Sequence, residues 1–229
     1  MIPSMAPNES RKAVRKSAAR EYLEAVGLAI ILAVVMRTSI VQAYVIPSGS
    51  MIPTLQIGDH ILVNRLRYGL RIPDSVFGLK VPGVPLGHYL CRFEPVHRGD
   101  VVVFVSPVDP NIDLIKRVIA IPGDTVMVRN GRIFLNGHSM DDPHAYLQVP
   151  DQNRTPIDVK DPRDNFGPVT VPPDRLFAMG DNSFDSRYWG FADMNAVEGR
   201  AILVYWSWDS TARAMIPPVR WGRFGQIID

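Results

Sequence analysis

Between Ala25 and Ile46 the chain runs through 22 residues with a single charge, Arg37, and five basic residues (Arg11, Lys12, Arg15, Lys16, Arg20) stand in front of it. An apolar run of that size has to be buried, in lipid or in a core. Its most apolar part, Ala25 to Met36, is 12 residues long. That is short of the about 20 that cross a bilayer. Extension by Ala18–Glu24 or Thr38–Val45 makes a helix long enough. Arg20, Glu21, Glu24 and Arg37 then fall near the headgroups, where long side chains snorkel. The basic cluster orients such a span with its N-terminus in the cytoplasm. The sequence therefore predicts a cytoplasmic tail over 1–20, one transmembrane signal anchor over 21–42 and a translocated domain over 43–229. A buried core helix is a competing reading. So is a cleavable secretory signal, with Val41-Gln42-Ala43 as its small-residue cut site.

Twenty prolines and seventeen glycines break up the rest and favour short strands over helices. Beyond Ile46 there are 19 Lys and Arg against 20 Asp and Glu, a balance that argues against a nucleic-acid surface. The one cysteine, Cys91, can form no internal disulfide, and with no second cysteine a zinc site or redox pair is not implied. Strands are expected at ILVNRL (61–66), VVVFV (101–105), DLIKRVIAI (113–121), 175–179 and AILVYWSW (201–208). Val126–Arg129 and Arg132–Leu135 flank Asn130-Gly131, a hairpin turn of the type I′ kind. Residues 69–97 read as a long surface excursion that touches lipid through Val76, Phe77, Leu79 and Val81. The expected fold is mostly β: an antiparallel domain, a small β/irregular insertion at about 125–174, and one preceding transmembrane helix.

The chemistry must come from few groups. A serine is a poor nucleophile until a base takes its proton. Five histidines are present (His60, His88, His97, His138, His144), none in a recognisable triad pattern, and there is no G-x-S-x-G elbow. Lysine serves as base if desolvation or a nearby cation lowers its pKa towards neutrality. Past the apolar run only Lys80, Lys116 and Lys160 occur. Lys80 and Lys160 lie in polar or irregular stretches. Lys116 is mid-strand, and alternation places it with Leu114, Val118 and Ala120. A catalytic lysine and a snorkelling edge-strand lysine both fit that placement.

The stretch Ile46-Pro47-Ser48-Gly49-Ser50-Met51-Ile52-Pro53-Thr54-Leu55 resembles the nucleophile box of bacterial type I signal peptidases, the leader peptidases with a Ser/Lys dyad. Four further blocks follow in the family's order: GDHILVNRLRYG (58–69), RGDVVVF (98–104), IKRVIAIPGD (115–124) and GDNSFDSRYWG (180–190). The resemblance implies Ser50 as nucleophile and neutral Lys116 as general base. It implies an oxyanion held by the Ser50 backbone N–H and the Ser48 hydroxyl. Ser183 would orient the lysine, with Asp185 and Arg187 as a supporting ion pair. The last block is three residues shorter than the family's GDNR-x-x-S-x-D-S-R form. Asp181 and Asn182 are expected to shape a turn.

For substrate the resemblance implies signal peptides of exported preproteins, cut after small residues of the Ala-x-Ala type. The pockets would be lined by Ile46, Pro47, Met51, Leu55, Leu114 and Ile115, with Tyr44, Ile61, Val103 and Asp113 nearer a second pocket; core packing explains each of these equally well. No cofactor or metal is implied. The partners are signal peptides and the bilayer, with no nucleic acid, and the location is the plasma membrane with the catalytic domain outside. Because five extended residues reach only about 17 Å, Ser50 would stay near the outer membrane surface. Three rival readings share features of this pattern. They are a self-cleaving repressor-type protease, a conjugative-transfer processing peptidase with the same dyad, and an inactive membrane-anchored β-domain acting as a binding module.

Overall fold

The computed structural model describes residues 21–29, 40–71, 87–130, 132–140, 165–182, 190–209, 212 and 218–229. The chain divides into two compact units, Met1–Met36 and Arg37–Asp229. In the first, residues 21–29 are helical. No helix among the described residues is long and apolar enough to cross a membrane. The expected end of the span is corrected: Val41 and Gln42, placed in that helix from the sequence, open a β-strand. Residues 30–39, the middle of the expected span, lie outside the described residues, as do Val76, Phe77, Leu79 and Val81.

The second unit is antiparallel β throughout its described ladders. In chain order its strands are β1 (Val41–Val45), β2 (Asp59–Asn64), β3 (Gly69–Arg71), β4 (Tyr89–Arg92), β5 (Val101–Val105), β6 (Asp113–Ala120), β7 (Thr125–Arg129), β8 (Arg132–Leu135), β9 (His138–Ser139), β10 (Asn165–Thr170), β11 (Arg175–Met179), β12 (Gly190–Asp193), β13 (Val197–Ser207) and β14 (Gln226–Ile227). The main sheet runs β1-β2-β13-β5-β6-β11-β12, with β14 added to β13. A four-stranded sheet, β10-β7-β8-β9, forms the insertion, and β3 pairs with β4. The excursion expected over 69–97 is thus tied down at both ends by a strand pair. Its alternation was too short to read.

Alternating side chains on the main sheet feed two apolar clusters. One gathers Ile46, Met51, Leu55, Ile61, Val63, Val101, Val103, Ala201, Val204 and Ile228. The other holds Tyr68, Val96, Val102, Phe104, Val118, Leu176, Ala178, Ala192 and Val197. β5 is buried on both faces, as a continuous β-branched run should be. Val101 and Val103 enter the first cluster, Val102 and Phe104 the second.

β13 is the hub. Bulges in its register with both β2 and β5 let one 11-residue strand serve three neighbours. The close approach demands a glycine at 199, where a Cβ would stand 2.5 Å from the Asn64 carbonyl oxygen and 2.9 Å from its carbon. These two obstacles are backbone and cannot swing away, and a third, Val63 Cγ1 at 2.9 Å, belongs to a stiff buried side chain. Gly199→Ala should lower unfolding free energy by about 1–3 kcal/mol, the usual range for forced overpacking. Thermal or denaturant melting of the purified chain checks it, and an unchanged midpoint would mean the two strands part without cost.

Candidate active site

Ser50 sits where the edge strand β1 gives way to a one-turn 3-10 helix, Gly49–Met51, all three of whose residues are buried. The turn is fixed from both sides. Upstream, the Ile46 N–H donates to the Asp59 carbonyl and the Gly58 N–H to the Ile46 carbonyl. Downstream, the Leu55 N–H donates to the Met51 carbonyl, and Met51 and Leu55 are fully buried in the first cluster. From across the fold, the Asn182 backbone N–H donates to the Ser50 carbonyl at 3.0 Å. Its side-chain amide donates to the Gly49 carbonyl at 3.2 Å. Asn182 thus shapes the nucleophile turn as well as its own.

Lys116, on β6, lies with its Nζ 2.6 Å from Ser50 Oγ. Both residues are buried, at 4% and 5% exposure. Alternation along β6 gives the lysine its surroundings: Leu114 and Val118 both pack in the second cluster, and Val102 is its cross-strand partner. Ala120, expected on the same face, goes instead to a third cluster with Ile119, beyond a register shift between β6 and β11. Ser48 Oγ lies 3.5 Å from Ser50 Oγ, at the outer limit of a hydrogen bond, and Ser48 itself is exposed.

The next residue, Arg117, points to the other face and was not singled out from the sequence. It is 1% exposed and forks onto Asp181, Nε to Oδ1 at 2.8 Å and Nη2 to Oδ2 at 2.9 Å. Its Nη1 donates to the carbonyls of Gly99 and Asp229. Thr54 Oγ1 accepts from Arg117 and donates to Asp181. Thr54 belongs to the segment after Ser50, and Asp181 adjoins Asn182. This one ion pair therefore joins β6, the nucleophile segment and the GDN turn. The one signal available in the sequence was a charged residue inside an apolar strand; its acid partner stands 64 residues away.

Ser183, Asp185 and Arg187 lie outside the described residues. Of the pocket residues, Ile46, Met51, Leu55, Ile61 and Val103 are core, and Tyr44 and Ile115 are half-buried against that cluster. Leu114 packs on the opposite cluster, and Pro47 is exposed. The histidines serve elsewhere: His60 accepts from the Trp208 indole, the His97 backbone N–H donates to Asp100, and His138 is exposed on β9. His144 is outside the described residues.

A buried serine–lysine pair beside a tightly held turn is an arrangement that a serine-type hydrolase can use. The family model for signal peptidase, peptidase S26, matches residues 19–206. Signal peptidase I of Leptolyngbya laminosa is 31% identical over 86% of this chain and 85% of its own. The Pseudomonas aeruginosa signal peptidase I is 34% identical over 86% of this chain and 76% of its own. A crystal structure of a signal peptidase I from Enterococcus faecalis superimposes with a TM-score of 0.37 at 29% identity, covering 47% of this chain and 97% of that one. The chain belongs to the signal peptidase family, peptidase S26, and is a serine endopeptidase of that kind.

Removing one partner from a buried ion pair strands the other's charge, at a cost of about 3–5 kcal/mol. Asp181→Ala should therefore destabilise the protein by that order and lower kcat in whatever fraction stays folded, because Arg117 adjoins Lys116. Denaturant melts beside active-site-titrated turnover check both. Full stability in Asp181→Ala would show that the pair is not structural.

Proposed function

We propose that this signal peptidase cuts preproteins with Ser50 as nucleophile and neutral Lys116 as general base. The observation that carries the reading is the 2.6 Å contact between Lys116 Nζ and Ser50 Oγ, with both side chains buried. Desolvation penalises an ammonium more than an amine. With the lysine neutral, the serine O–H donates to the nitrogen lone pair. As Oγ attacks the scissile carbonyl, its proton passes to Nζ, and the carbonyl oxygen becomes an oxyanion. The Ser50 backbone N–H and the Ser48 hydroxyl receive it, the latter swinging from its present position. Lys116 then returns the proton to the leaving amine, the C–N bond breaks and an acyl-enzyme remains. A water deprotonated by the same lysine releases the signal peptide. Ser183 orients the lysine and Asp185 with Arg187 supports it.

The substrate lies extended along the outer edge of β1, the terminal strand of the main sheet. An added strand is the ordinary way for a protease to hold a peptide. Small residues before the cut suit shallow sites over Ile46, Pro47 and Ile115, with Met51 and Leu55 as buried backing. The apolar run before β1 anchors the enzyme in the plasma membrane with this domain on the extracytoplasmic side, where the emerging h-regions of preproteins are.

Ser50→Ala and Lys116→Ala should each abolish cleavage of a preprotein with an Ala-x-Ala site by the detergent-purified chain, with no loss of fold. The double variant should be no slower than either single one, because groups acting as a unit are lost together. A double variant far below both would separate the two residues.

A further inference from the structure

Glu198 on β13 is 6% exposed and has no part in the chemistry above. Its Oε1 accepts from Arg65 Nη2 at 3.3 Å and Arg71 Nη1 at 3.1 Å. Its Oε2 accepts from Tyr44 Oη at 2.5 Å. Arg65 also donates to the Gln42 side chain at 2.5 Å. Gln42 and Tyr44 share one face of β1, so two arginines and a carboxylate hold the edge strand's side chains from beneath. Burial, then the Glu198 charge, push the Tyr44 phenol well above its ordinary range, so it stays a donor. A bond from a hydroxyl to an ionised carboxylate is of the strong kind.

Tyr44 matters because of where it stands. Ile46 is two residues on, so both project from the same side of the strand. Among the described residues, Tyr44 and Ile115 are the half-buried apolar side chains packed on the first cluster, which also holds Met51 next to Ser50. A peptide extended along β1 has the same two-residue repeat. With the residue before the cut over Ile46, the residue two further back meets the Tyr44 ring. We infer that Glu198 is a positioning residue that pins the Tyr44 ring as the wall of the site for the third residue before the cleaved bond, and so restricts that site to small side chains. The inference rests on Ser50 being the nucleophile. A ring tied through its hydroxyl cannot rotate aside for a larger substrate side chain; an untied ring can.

The test uses the full chain in detergent and two peptides that differ only in alanine or leucine at the third position before the cut. The alanine-over-leucine ratio of kcat/KM should fall about tenfold in Tyr44→Phe and in Glu198→Gln, chiefly through a lower KM for the leucine peptide. A second peptide pair, varied at the residue next to the cut, should keep its ratio in both variants. Glu198→Asp, which keeps the charge, should recover part of the discrimination. A ratio unmoved at the third position, or equal losses on both peptides, would reduce Glu198 to neutralising its arginines. If Glu198→Gln does not fold, Tyr44→Phe decides alone, since it leaves the arginine pairs intact. Wild-type cleavage of the alanine peptide, and its loss in Ser50→Ala, test the dyad on the same plate. A wild type that cuts neither peptide brings down the dyad and this inference together, whereas a cutting wild type with an unmoved ratio sinks only the inference.

Discussion

The contact between Lys116 Nζ and Ser50 Oγ joins residues 66 positions apart in the chain, and it needs a lysine where apolar packing leaves little water. Two independent placements meet there. β6 carries Lys116 between Leu114 and Val118, on the face that builds the second cluster. The turn after β1 carries Ser50, with Met51 and Leu55 sunk in the first cluster as its anchor. The site thus stands at the seam of two cores. Neither placement can drift without opening apolar volume, and deleting large core side chains costs about 2–5 kcal/mol.

The neighbouring residues 116 and 117 are both basic and both buried, yet their surroundings ask opposite things of them. Arg117 cannot lose its proton in a protein, so burial demands a full set of acceptors. Asp181, Thr54 and the carbonyls of Gly99 and Asp229 supply them. A lysine, unlike an arginine, can lose its proton when buried, and at 116 the partner is a hydroxyl on an apolar face. One strand step separates the two environments because successive side chains point to opposite faces of the sheet. The same rule explains Gln42 and Tyr44, which share a face of β1 and reach the Glu198 network through one arginine and one hydroxyl.

Much of this was legible beforehand where a local pattern had a single structural meaning. VVVFV could only be a strand buried on both sides, and the strands on either side of Asn130 pair as expected, with Asn130 in a left-handed conformation at φ 52°. The lysine's face was readable from alternation as far as Val118, and it failed at Ala120 because a register shift cannot be seen in one strand alone. Val41 and Gln42 were absorbed into the apolar run because no charge stands between Thr38 and Ile46 to mark a boundary, and five residues carry too little period to part strand from helix. Arg117 and Glu198 were not singled out because their partners, Asp181 and Tyr44, lie 64 and 154 residues away. Burial of a charge is a property of the fold, and sequence shows only the charge.

Catalysis by the proposed dyad requires Lys116 to be neutral. The most direct test is the pH dependence of single-turnover cleavage by the detergent-purified chain, under conditions where chemistry limits the rate. The rate should climb by about tenfold per pH unit and then reach a plateau, as expected when one group must lose a proton before it can serve as base. A rate flat from about pH 6 to 10 would remove Lys116 from that role, since a lysine lowered towards neutrality to work as a base titrates inside that window.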